Sequence, residues 1–83
     1  MGRPAMFDLH HARTEEIVVT LERCVFDASG DRPFSVWLVS RQDGDGVFRA
    51  TAELAGDSWG GVGDTVRLVG RWVEDPRYGR QFR

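Results

Sequence analysis

The chain predicts an all-β domain, and three observations carry that expectation. Apolar and polar residues alternate with a period of two through four stretches, 15–26, 34–41, 47–54 and 65–74. Val, Thr and aromatic residues, which fit a pleated and half-buried surface, are frequent, with five Phe, three Trp and one Tyr. Ten glycines help punctuate the stretches at roughly even spacing, and no stretch makes a convincing helix.

With 83 residues the chain suffices for one domain with a thin core. Residues 1–14, MGRPAMFDLHHART, have no clean period and carry Pro4 near their start, so they read as a flexible lead-in to a domain over 15–83. The neighbours His10-His11 read as solvated: adjacent residues rarely chelate from one surface, and no third ligand is near in sequence.

The first strand, EEIVVTLERCVF (15–26), puts Ile17, Val19 and Leu21 on one face. Arg23 interrupts that face while Cys24 and Phe26 look equally buried, which predicts a bulge near Glu22-Arg23. After the turn cluster ASGDRP, the strand FSVWLVSR (34–41) alternates Phe34, Val36 and Leu38 inward, sending Ser35, Trp37, Val39 and Arg41 to the other face. Trp37 then has two readings, as a ring lying under a loop or as a stacking platform.

Two Asp-Gly pairs at 43–46 mark a hairpin turn. A calcium reading of the same four residues fails, because the loop is too short and has no terminal bidentate Glu. In the third strand, VFRATAEL (47–54), Phe48, Ala50, Ala52 and Leu54 are expected inside and Arg49, Thr51 and Glu53 outside. The glycine-rich connection 55–64 holds Trp59 but has no GxGxxG or Walker spacing. The fourth strand, TVRLVGRWVE (65–74), has Val66, Leu68 and Trp72 on one face and Arg67, Val69, Arg71 and Val73 on the other, with Gly70 where a barrel strand would bend. Asp75-Pro76 and Gly79 specify a tight tip, and a fifth strand starting at Arg80 is cut short by the end of the chain. The expected architecture is a small five-stranded antiparallel Greek-key barrel of the OB type, with an SH3-like barrel as the alternative. Its expected core is Leu21, Phe34, Val36, Leu38, Phe48, Leu68 and Trp72.

The formal net charge is −2, so no overall positive field recruits nucleic acid, and any contact must come from a local patch. The stretch GRWVEDPRYGRQF (70–82) supplies one, interleaving Trp72, Tyr78 and Phe82 with Arg71, Arg77 and Arg80. Guanidinium groups on phosphates and rings under bases are what a sheet needs to hold a single strand. The same residues also make sense as core, solvated charge and turn. The nucleic-acid residues expected from this reasoning are Trp37, Arg71, Arg77, Tyr78 and Arg80.

Catalysis has no visible basis. All eleven basic residues are Arg, and a P-loop or Schiff base needs lysine. No nucleophile and base pair up, and no Cys/His set has metal-site spacing. Cys24, alone, cannot form an internal disulfide and is expected to pack as a small apolar residue. Neither a cofactor, a metal nor a membrane is expected, and the expected compartment is the cytoplasm.

GRWVEDPRYGRQF closely resembles the end of the N-terminal OB-like domain of RecD-like DNA helicases, the superfamily 1 enzymes related to the exodeoxyribonuclease V alpha subunit. Val25-Phe26 is similar to the pair that ends that domain's first strand, and Phe34-Ser35-Val36 to its Phe-x-Val strand. Val62-Gly63-Asp64 matches a Pro-Gly-Asp/Glu turn without the proline, and Tyr78, Gly79, Gln81 and Phe82 match the closing pattern. The similarity spans residues 15–83. Ala52 departs from a usual glycine, and the DASGDRP loop from an Asn/Gly-rich one. The resemblance implies an excised or stand-alone accessory module of an ATP-dependent helicase, with a role in DNA repair and recombination. Its partners would be single-stranded DNA and neighbouring helicase domains, with ATP hydrolysis outside these residues. The competing expectation is a structural or protein–protein interaction domain that binds no nucleic acid.

Overall fold

The structure is a computed structural model and describes residues 14–42, 44 and 46–83. Most of the lead-in, the His10-His11 pair, and Asp43 and Asp45 of the Asp-Gly turn lie outside the described residues.

The chain is all-β, as expected. Its strands are β1 (Glu15–Ala28), β2 (Phe34–Arg41), β3 (Val47–Ala52), β4 (Thr65–Gly70), β5 (Trp72–Asp75) and β6 (Gly79–Phe82), with one 3-10 turn at Gly56–Ser58 between β3 and β4. They form a single sheet in the order β4-β1-β2-β3-β6-β5.

Two features differ from the five antiparallel strands expected. The expected fourth strand is two strands, because the chain changes partner at Arg71: β4 pairs with β1 and β5 with β6. The sheet is also mixed, since β6 runs parallel to β3, with Arg49 opposite Gln81 and Ala50 opposite Phe82. β6 reaches β3 only after the chain has crossed through β4 and β5, a connection long enough for a parallel pair. Gly70, expected at a bend within one strand, ends β4 just before the change of partner. It is buried against the end of β6, where a Cβ would run into the Arg83 carbonyl and the Phe82 ring.

β1 slips register between Leu21 and Arg23, as expected, and again between Cys24 and Phe26. Each slip reverses the alternation. Ile17, Val19 and Leu21 therefore face the core, Cys24 packs against it, and Phe26 faces out.

The phase of β2 is opposite to the one expected. Ser35, Trp37 and Val39 are buried, whereas Phe34 is exposed and Val36 and Leu38 are half-buried on the outer face. Hydrogen bonding at one end of the core explains why. Trp59 Nε1 donates to Ser35 Oγ at 2.7 Å, and Ser35 Oγ donates to the Leu54 carbonyl at 2.6 Å, so the buried hydroxyl is used as both acceptor and donor. Trp37 Nε1 donates to the Gly56 carbonyl at 3.1 Å, and Asp27 Oδ1 accepts the Gly56 amide at 2.8 Å. The 3-10 turn and Trp59 thereby plug this end of the core, with Trp37 beneath them. Leu54, expected inside, is exposed because its carbonyl rather than its side chain is directed to Ser35. Of the other expected core residues, Leu21 is fully buried, while Phe48, Leu68 and Trp72 are partly buried and packed against the core.

Candidate nucleic-acid interface

The outer face of β2 and β3 is built in rows by strand register. One row runs from Phe26 through Val36 to Thr51, and the next from Leu38 through Arg49 to Gln81. Phe26 and Phe34 meet edge to face, with centroids 6.1 Å apart, and both remain exposed. Two aromatic rings left on the wet face of a small sheet form a surface that a ligand can cover.

The turn between β5 and β6 supplies a third ring. Asp75 Oδ1 accepts the backbone N–H groups of Arg77 at 2.7 Å and Tyr78 at 3.0 Å, and Gly79 takes a φ of 79° that favours glycine. These two N–H donors, followed by the positive charges of Arg83 and Arg77, hold the Asp75 carboxyl below its ordinary pKa. The turn is thus closed by Asp75 and Gly79, and the Tyr78 ring is left 51% exposed. The Arg49 guanidinium lies 4.0 Å from the centroid of that ring and the Arg77 guanidinium 5.9 Å from it.

Between the Tyr78 turn and Phe34 lies a groove of about 190 Å³, which Val36, Arg49, Thr51, Asp75, Gln81 and Arg83 also line. Thr51 and Gln81 are buried although they lie on the outer face, and Thr51 Oγ1 has no hydrogen-bond partner among the described residues. The groove offers ring faces on two sides, guanidinium donors at Arg49 and Arg83, and polar groups at its floor. A guanidinium resting on a ring retains in-plane N–H groups for phosphate oxygens.

Of the five residues expected to bind nucleic acid, Tyr78 and Arg77 belong to this surface. Trp37 as a stacking platform is corrected: at 4% exposure, beneath the 3-10 turn and tilted against Trp59 with centroids 6.3 Å apart, it has no free face. The loop-covered reading of Trp37 is the one that holds. Arg80 lies elsewhere, its guanidinium 4.2 Å from the Trp72 ring in a cleft shared with Arg41 and Phe48. Arg71 is exposed at the junction of β4 and β5, where its main chain exchanges two hydrogen bonds with Arg83, and it does not line the groove.

Sequence reasoning missed Phe34, which it placed in the core, and Arg49, Thr51 and Gln81, to which it gave no role. The alternation of β3 put Arg49 and Thr51 on the outer face. Only the parallel register with β6, which no local pattern encodes, brings Arg49 beside Gln81.

Among the described residues, no group of three or more His, Cys, Asp or Glu is placed to hold a metal, and no helix is long and apolar enough to cross a membrane. Comparison with protein-family models, with curated proteins and with solved structures finds no match. The functional reading therefore rests on the chemistry of the surface.

Proposed function

We propose that this chain is an OB-like accessory module that engages single-stranded DNA for a RecD-like ATP-dependent helicase and has no catalysis of its own. The barrel half of this reading is supported by strand order. β4 and β5 stand at the two ends of the order yet follow each other in the chain through Arg71 alone. Counted as one bent strand, they would pair with β1 on one side and β6 on the other, the pairing that a ring of five strands needs. In OB folds, oligonucleotides lie on the face of the second and third strands between the first and last hairpin loops. The outer face of β2 and β3, between the 29–33 loop and the 76–78 turn, corresponds to that location.

The observation that carries the reading is the meeting of Arg49, Tyr78 and Phe34 around one groove on that face. Rings for stacking and guanidinium groups for phosphate are what a sequence-tolerant single-strand surface uses. With a net charge of −2, affinity in isolation is weak, and the parent helicase supplies the rest of the DNA path.

A fluorescence-anisotropy titration of labelled oligo-dT with the protein over a salt series tests this. Binding should weaken as salt rises, and Arg77→Ala should flatten the log–log slope by roughly 0.7, the share of one released counterion on a single strand. Absence of binding at low salt would favour the alternative, a domain that only positions its neighbours.

A further inference from the structure

We propose that the groove on the outer face of β2 and β3 selects cytosine over thymine and uracil, with Asp75 as the residue that makes the choice. The inference rests on the nucleic-acid reading of this groove and names the base that the groove takes.

The turn end of the groove suits a base better than a phosphate. Strand pairing sets Arg49 opposite Gln81 and Asp75 opposite Gly79, and Asp75, Tyr78, Gln81 and Arg49 all line the groove there. The Tyr78 ring offers stacking to a base, whereas the Asp75 carboxylate repels phosphate oxygens. Arg77 does not line the groove; its guanidinium, 5.9 Å from the centroid of the Tyr78 ring, is the cation for a phosphate alongside. With a volume of about 190 Å³, the groove suits a single six-membered ring better than a fused purine.

Stacking does not separate one pyrimidine from another, because each offers the same kind of ring face. The polar groups of the groove differ in what they can tell apart. Gln81 carries both a donor and an acceptor on its amide, and the Thr51 hydroxyl, which has no partner among the described residues, can also act as either, so both accommodate any pyrimidine. Arg49 only donates, and every pyrimidine has a carbonyl at C2 to receive it. Asp75 only accepts. The backbone N–H groups of Arg77 and Tyr78, with the charges of Arg83 and Arg77, keep its carboxyl ionised at neutral pH. Both of those N–H groups go to Oδ1, so Oδ2 is the oxygen left for a ligand. Cytosine presents an amine at C4, and thymine and uracil present a carbonyl at the same position. The carboxylate therefore gains a charge-assisted hydrogen bond from cytosine and meets a second oxygen in the other two.

Competition fluorescence anisotropy on the full chain, with short oligo-dC and oligo-dU at one low salt concentration, tests the choice. Oligo-dU is the comparison because it changes the Watson–Crick edge without adding the thymine methyl. Oligo-dC should bind about tenfold more tightly than oligo-dU, as one charge-assisted hydrogen bond allows. The informative variant is Asp75→Asn. Its amide oxygen can still accept the two N–H groups of the turn, while its NH₂ group replaces Oδ2 and donates. The order should then reverse, with oligo-dU ahead of oligo-dC. A residue that only shaped the turn would weaken both ligands alike.

Equal affinity of the unaltered chain for the two oligonucleotides would overturn the inference and leave the nucleic-acid reading standing. Binding of neither would overturn both. That comparison holds whether or not the variant folds. A preference for oligo-dC that survives Asp75→Asn unchanged, or an equal loss for both ligands, would take the choice away from Asp75 and so overturn the assignment.

Discussion

Tyr78 owes its exposure to Asp75. Because the carboxylate of Asp75 holds the turn's two N–H groups and Gly79 supplies its positive φ, the tyrosine ring is not needed to brace the bend and instead packs with Arg49. Tyr78→Ala should therefore leave the melting curve within about 0.5 kcal/mol of the parent while costing about 1–3 kcal/mol of oligo-dT affinity, the worth of one stacked base. Asp75 carries the opposite signature. Its pKa is lowered in the folded state, so the stability it contributes is present above the ordinary Asp range and is lost as pH falls through the lowered value. Melting followed from neutral to acid pH should show Asp75→Ala destabilised at neutral pH and converging on the parent toward the acid end. A difference that stays constant with pH would separate the turn's stability from the ionisation of Asp75. Ser35 is the residue on which the plugged end of the core depends. Ser35→Ala would leave the buried Trp59 Nε1 without its acceptor, at a cost of about 1–3 kcal/mol in chemical denaturation.

Among the elements, β2 separates what the sequence displays from what it hides. Ile17, Val19 and Leu21, the slip after Leu21, the bend at Gly70 and the Asp75–Gly79 tip were all legible, because alternation and turn chemistry are local. β2 carries apolar residues on both faces, so a period of two cannot say which face is inside. The decision is made by partners distant in sequence: Trp59 and Leu54 take up the Ser35 hydroxyl, and the Gly56 carbonyl takes up the Trp37 N–H. With Ser35 and Trp37 committed inward, Phe34 is committed outward, and an expected core residue becomes a wall of the groove. The phase is directly testable with adjacent substitutions. Val39→Ser places a hydroxyl in a fully buried apolar position of this strand and should cost about 2 kcal/mol or more, whereas Leu38→Ser on the outer face should cost distinctly less. Equal losses in urea denaturation would contradict the observed phase.

For the whole molecule, the useful contrast is between its charge and its surface. Thirteen acidic residues outnumber eleven arginines, yet Arg49 and Arg83 line one groove edged by Phe34 and Tyr78, and Arg77 lies beside the Tyr78 ring. A second cleft, where Arg80 lies on Trp72 beside Arg41 and Phe48, offers a guanidinium and partly buried rings of its own. On the proposed function, DNA lies on the first of these surfaces and not on the second. Chemical-shift mapping with a short oligo-dT on isotope-labelled protein tests that assignment most directly. The largest shifts should fall on Phe34, Val36, Arg49, Thr51 and the Arg77–Tyr78 turn. Shifts centred on Arg41, Phe48, Trp72 and Arg80, or none at low salt, would contradict it.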